Sequence, residues 1–159
     1  MKRALALAAT LLAAACTTPQ STQYFVLPDS YFSAPAHNGK EIAVKVVLAE
    51  PLQHGGLVYQ TDEHHLNFAK NHLWAAPLEQ AAAARFANEL NRNSTRYRFV
   101  PAARSHAAQT LTVYLEAFHG SYQGKTLVQG YGRWPDGRNR NFRIETAQQG
   151  DGYTAMLES

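Results

Sequence analysis

The chain has 159 residues, 45% of them hydrophobic, which suffices for one domain with a real core. Its net charge of +3 includes Lys2 and Arg3 of an export leader, and no basic run follows, so composition argues against nucleic-acid binding. A single cysteine rules out an internal disulfide, and no later segment is long and apolar enough to cross a membrane as a helix.

Lys2 and Arg3 open an n-region, and Ala4 to Ala15 is a run of Ala and Leu broken only by Thr10. This run is too short to span a bilayer, which takes about 20 residues. It reads as a signal peptide over residues 1–15. Cys16 stands directly after the cut, where a bacterial lipoprotein carries its acyl chains. Ala13 occupies the place where such signals usually hold a larger aliphatic residue, and Ala13-Ala14-Ala15 also satisfies the A-x-A pattern of ordinary secretion. Cys16 is therefore a lipid-attachment site or, on the ordinary secretory route, a plain N-terminal thiol.

Residues 16–22 are rich in Thr, Pro, Gln and Ser and suit a tether, with the folded domain predicted over 23–159. Tyr24 to Leu27 is a short β-prone run stopped by Pro28, and Asp29 to Lys40 reads as loop. Ile42 to Leu48 is the clearest early strand, with Ile42, Val44 and Val46 on one face. Gly55-Gly56 opens a second, Leu57 to Thr61. A helix is predicted from Pro77, in its first turn, to about Leu90. Leu78, Ala82, Phe86 and Leu90 form its buried stripe. Thr110 to Phe118 alternates apolar and polar residues. Tyr122 to Lys125 turns the chain into a strand over Thr126 to Trp134. Pro135-Asp136-Gly137-Arg138 turns it again into a third strand, Asn141 to Thr146. The reading is α+β: a single antiparallel or mixed β-sheet with one main helix packed on a face.

Chemistry-bearing patterns are sparse. His64-His65 would point to opposite faces of an extended segment and do not share a metal easily. The remaining histidines fall in loops or at strand ends, so no metal site is expected. There is no G-x-S-x-G, no phosphate loop around Gly130-Tyr131-Gly132 and no paired carboxylates, so no catalytic residue and no cofactor is expected. The two glycines read instead as places where a sheet bends or another backbone approaches. Aromatic residues cluster in and near the strands. Trp134, beside Arg133 and near Tyr131, is the candidate partner interface, because Trp, Tyr and Arg dominate binding hot spots.

Several stretches then combine: Gly56-Leu57-Val58-Tyr59-Gln60-Thr61, Asn71-His72-Leu73-Trp74-Ala75-Ala76-Pro77-Leu78, Gly120-Ser121-Tyr122-Gln123-Gly124-Lys125, Phe142-Arg143-Ile144-Glu145 and Gly150-Asp151-Gly152-Tyr153. In this order, behind a lipoprotein leader, they resemble the PqiC/YmbA family of ABC-type transport auxiliary lipoproteins. The resemblance covers roughly residues 23–159. It implies a non-enzymatic outer-membrane lipoprotein facing the periplasm, with the covalent lipid on Cys16 as its only attached group. The implied partners are an MCE-domain, periplasm-spanning protein and the outer membrane, and a homo-oligomer is compatible. The implied role is docking in intermembrane lipid transport in support of envelope integrity; a periplasmic lipid-binding carrier is the alternative. Thr17, in place of an aspartate, favours outer-membrane sorting. Similar proteins continue past Gly-Asp-Gly-Tyr into an amphipathic helix. Here Tyr153 to Ser159 leaves the C-terminal helix cut short, with Asp151 as its cap, so a sheet face is expected to be exposed or covered by a partner.

Overall fold

The computed structural model describes residues 21–159; the leader, Cys16 and most of the tether lie outside the described residues. The chain runs β1 (Gln23–Phe25), β2 (Lys40–Leu48), β3 (Gly56–Gln60), β4 (Leu66–Trp74), α1 (Leu78–Asn93), β5 (Tyr97–Pro101), β6 (Thr110–Ser121), β7 (Lys125–Arg133), β8 (Asn139–Ala147) and α2 (Gly152–Glu158). The strands form one mixed sheet, and α1 packs on β2 and β5, as the α+β reading expects.

β6 is the spine of the sheet. Along one edge it pairs antiparallel with β7, which pairs antiparallel with β8. Along the other edge its first half pairs parallel with β2 (Val44↔Leu111, Val46↔Val113), and β2 pairs parallel with β5. Its last two residues pair parallel with β3 (Tyr59↔Gly120, Gln60↔Ser121), and β3 carries β4 and β1 outward. Two leaves, β2–β5 and β3–β4–β1, thus hang side by side on one strand.

The core follows from strand alternation. Ile42, Val44, Val46 and Leu48 of β2 join Leu111, Val113 and Leu115 of β6 on the face beneath α1. Val44 and Leu57 are fully buried. Each such side chain contributes about 1.5–3 kcal/mol relative to exposure. Helix α1 lays Ala81 to Ala84, Ala87 and Leu78 against this face, while Phe86 and Leu90 pack at its margin. Its small residues permit close approach. Asn88, 4% exposed, is held among them by the loop before β2: its Nδ2 donates to Asp29 O (3.1 Å) and Tyr31 O (2.9 Å), and its Oδ1 accepts from Ser33 N (3.0 Å).

Several details differ from expectation. Pro77 sits at the N-cap, its carbonyl accepting from Gln80 N and Ala81 N, rather than inside the first turn. Asp151 also occupies an N-cap, but its side chain makes no capping bond; α2 is instead held through buried Ala155 and Met156, and Thr126 Oγ1 donates to Met156 O at 3.1 Å. Two strands, β4 and β5, stand where none was expected. His64 and His65 lie in a turn rather than an extended segment: Asp62 Oδ1 accepts from both backbone N–H groups at 2.9 and 3.0 Å. Strand β6 runs past Phe118, which places His119 inside it and buried.

The expected turns are present. Gly124 and Gly137 adopt φ of 68° and 84°, the left-handed region that glycine enters without a Cβ penalty. On the α1 side of β8, Phe142 meets Phe86 with ring centroids 6.2 Å apart, while Ile144, two residues on, is 52% exposed.

Candidate functional site

The outer face of the sheet, opposite α1, carries the predicted interface. In β6 the residues alternating with the core set are Thr112, Tyr114 and Glu116, and β7 presents Gln129, Tyr131 and Arg133 beside them. Tyr114 and Tyr131 are directly cross-strand and stack at 4.5 Å with planes 12° apart. The Arg133 guanidinium lies 5.4 Å from the centre of the Tyr114 ring. Such a cation over stacked rings is a rigid, amphipathic patch that loses little side-chain entropy on binding.

A backbone irregularity sets this patch. The β6–β7 register shifts between Leu115 and Ala117, leaving Glu116 as the extra residue of a bulge. Gly130 fits against it: a Cβ there would lie 2.1 Å from Tyr114 O. The close backbone approach expected of the Gly-Tyr-Gly segment is real at Gly130. At Gly132 a Cβ would meet only Leu111 Cδ1 at 3.5 Å, an ordinary contact.

The three candidate interface residues do not act as one. Tyr131 and Arg133 share the outer face, whereas Trp134 turns toward the core and meets Phe99 edge-on at 6.3 Å. Trp134 also floors a hollow at the end of the sheet where β2, β5 and β6 begin. Sequence reasoning missed the contribution of Tyr114, which the alternation of β6 already placed opposite the core.

A second concavity, about 500 Å³, lies between α1, the second half of β2 and the segment after β1. Val26, Trp74, Ala83 and Ala84 give it an apolar lining. It exists because β5 pairs with β2 only as far as Val44↔Pro101, leaving Lys45 to Leu48 without a strand on that side among the described residues.

Groups with altered acidity have local causes. The Asp62 carboxyl is held low first by the His64 backbone N–H and then by the His65 side chain. Asp136 is held low chiefly by the Arg138 side chain, and Glu145 chiefly by Arg143. Burial pushes the Tyr153 hydroxyl up. These groups sit on separate turns, a strand and α2 rather than converging on a cleft. Among the described residues no group of three His, Cys, Asp or Glu side chains is placed to hold a metal ion. His119 Nδ1 is within 3.0 Å of Gly120 O, and His37 Nε2 within 3.0 Å of Tyr97 O.

The described residues thus form a mixed sheet covered by one long alanine-rich helix, with an aromatic outer face. The family model for the ABC-type transport auxiliary lipoprotein component matches residues 28–159, and the chain belongs to that family. The family is one of transport auxiliaries rather than enzymes. The chain is similar to the intermembrane transport lipoprotein PqiC of Escherichia coli strain K12 and of Shigella flexneri. Each is 30% identical over 168 aligned positions, covering 99% of this chain and 89% of the relative. A crystal structure of an uncharacterised protein superposes with a TM-score of 0.71 at 27% identity, covering 87% of this chain and 88% of that one. A Xanthomonas campestris protein, 13% identical with a TM-score of 0.55 over 87% of this chain and 82% of its own, shares the fold.

Proposed function

We propose that the chain is a lipoprotein of an intermembrane transport system, acylated at Cys16, anchored in the outer membrane and facing the periplasm. Its domain docks an MCE-domain, periplasm-spanning partner in lipid transport and so supports envelope integrity. The observation that carries this reading is the family match across residues 28–159, together with the near full-length likeness to PqiC. The chemistry is compatible: several acyl chains, at about 0.8 kcal/mol per buried CH₂, hold a protein stably, whereas one chain binds reversibly. The docking surface is the Tyr114–Tyr131–Arg133 face. Capture of the MCE partner by the acylated protein tests the reading. Capture is expected for the wild type and reduced by Arg133→Glu; no capture with both proteins folded overturns it. Intact mass of the membrane-extracted protein, against Cys16→Ser, tests the anchor.

A periplasmic lipid carrier is the second reading, favoured by the apolar cleft beside α1, whose volume is within the range of ligand sites. Copurified phospholipid in native mass spectrometry, lost on Ala84→Glu, supports it.

A further inference from the structure

Two turns far apart in sequence converge at the end of the sheet where β2, β5 and β6 begin. Arg96 comes from the turn between α1 and β5, and Arg138 and Arg140 from the turn between β7 and β8 and the start of β8. They line a hollow of about 550 Å³ whose floor is Ile42, Tyr97 and Trp134. Asp136 is the one carboxylate among its lining residues, and it is already engaged: Arg138 Nε donates to Asp136 Oδ2 at 2.7 Å, and the Arg138 Nη2 to Oδ2 distance is 2.6 Å. Arg96 and Arg140 enter no ion pair among the described residues. Arg96 is nonetheless positioned, its guanidinium 5.2 Å from the centre of the Tyr97 ring.

The hollow therefore combines two uncompensated guanidinium forks with an apolar floor. Ile42 is 3% exposed, and Trp134 and Tyr97 are half-buried. A guanidinium fork matches the paired oxygens of a phosphate better than an ammonium does. A bare anion would leave the floor wet, whereas an amphiphile would cover it. We propose that this hollow binds the headgroup end of an anionic phospholipid, its phosphate held by Arg96 and Arg140 and its glycerol and first methylenes against Trp134 and Ile42. The site goes beyond the docking role and is read without the MCE partner, so either can fail while the other stands.

The chain has two tryptophans, so Trp74→Phe leaves Trp134 as the reporter on the hollow. In that background, titration of the full chain with dihexanoyl phosphatidylglycerol below its micellar concentration is expected to shift Trp134 emission saturably. Arg96→Gln and Arg140→Gln should each weaken binding about tenfold, with Arg140→Lys intermediate. Dihexanoyl phosphatidylcholine should bind at least about fivefold more weakly, because its cation offsets the phosphate. Lys70→Gln, on β4, removes one charge elsewhere and should leave binding unchanged. Circular dichroism confirms that each variant is folded, as expected for exposed arginines. The proposal is overturned if no saturable shift occurs, or if Lys70→Gln weakens binding as much as the arginine changes. Inorganic phosphate that competes at the same concentration as the lipid, or a hexaglutamate peptide that binds more tightly, overturns it equally.

Discussion

The side-chain amide of Asn91, in the last turn of α1, pairs with the backbone of Phe99 as a neighbouring strand would. Its Nδ2 donates to Phe99 O at 2.8 Å, and its Oδ1 accepts from Phe99 N at 2.8 Å. Phe99 belongs to β5, the outermost strand of its leaf. An open edge is a template for unwanted pairing, and here one helical side chain closes it. Asn91→Ala leaves both groups without this partner and should cost about 1–3 kcal/mol. Urea unfolding should show a lower midpoint with an unchanged slope.

Asn88, one turn earlier on α1, does comparable work by binding the loop before β2. Asn88→Ala removes the side-chain hydrogen bonds to Asp29, Tyr31 and Ser33 from a buried site. A loss of about 2–3 kcal/mol is expected, along with faster proteolysis between Asp29 and Ser33. Unfolding without a change in local cleavage would show that the amide only fills space.

The two glycines of β7 should differ sharply in their response to the same change. Gly130→Ala drives a methyl into the Tyr114 carbonyl and should cost about 3 kcal/mol, near the top of the usual range for overpacking. Gly132→Ala meets only ordinary contact and should stay within about 1 kcal/mol of the wild type. Paired thermal melts of the two variants decide this.

Acid should weaken the ion pairs of Glu145 on β8 in a defined direction. The Glu145 carboxyl lies below its ordinary value chiefly because Arg143 hydrogen-bonds it, with Lys125 adding to the effect. A carboxylate whose pKa falls on folding contributes stability above its unfolded pKa. That contribution is lost as pH drops from the ordinary value of 4.5 through the depressed one. The pair is solvent-exposed and screened, so the effect is small. NMR titration should show the Glu145 pKa rising toward the ordinary value in Arg143→Gln.

The stacked tyrosines give a test of docking separable from folding. Tyr131→Ala removes one ring of the stack on the half-exposed outer face and should reduce capture of the proposed MCE-domain partner severalfold, as expected where a hot-spot ring is lost. The melting temperature should move by only a few degrees. Equal capture by wild type and variant would remove this face from the docking surface.

Local periodicity made much of this structure legible. The i, i+4 stripe of Leu78, Ala82, Phe86 and Leu90 located α1, and the alternation of β6 separated its core face from the face that carries Tyr114. Gly124 and Gly137 marked both hairpin turns. Strand β4 escaped because Asn67, Lys70, Asn71 and His72 interrupt any alternation, and most of the strand is not deeply buried. Strand β5 escaped because it is short, ends in Pro101 and owes its conformation to parallel pairing with β2, a non-local contact. The site divided in the same way. Adjacent residues Arg133 and Trp134 looked like one patch, but the strand ends at Arg133, and Trp134 turns inward to Phe99. The hollow stayed hidden because Arg96 and Arg140 meet only through the fold.

The position of β6 also dictates an order of events. Strands β1, β3 and β4 can pair among themselves, as can β2 and β5, but the two groups share no strand pairing until Thr110 to Ser121 is laid between them and β7. A chain delivered amino terminus first therefore holds two unjoined pieces of sheet until Ser121 has arrived. Completion of the domain waits on a late segment, not on the end that emerges first.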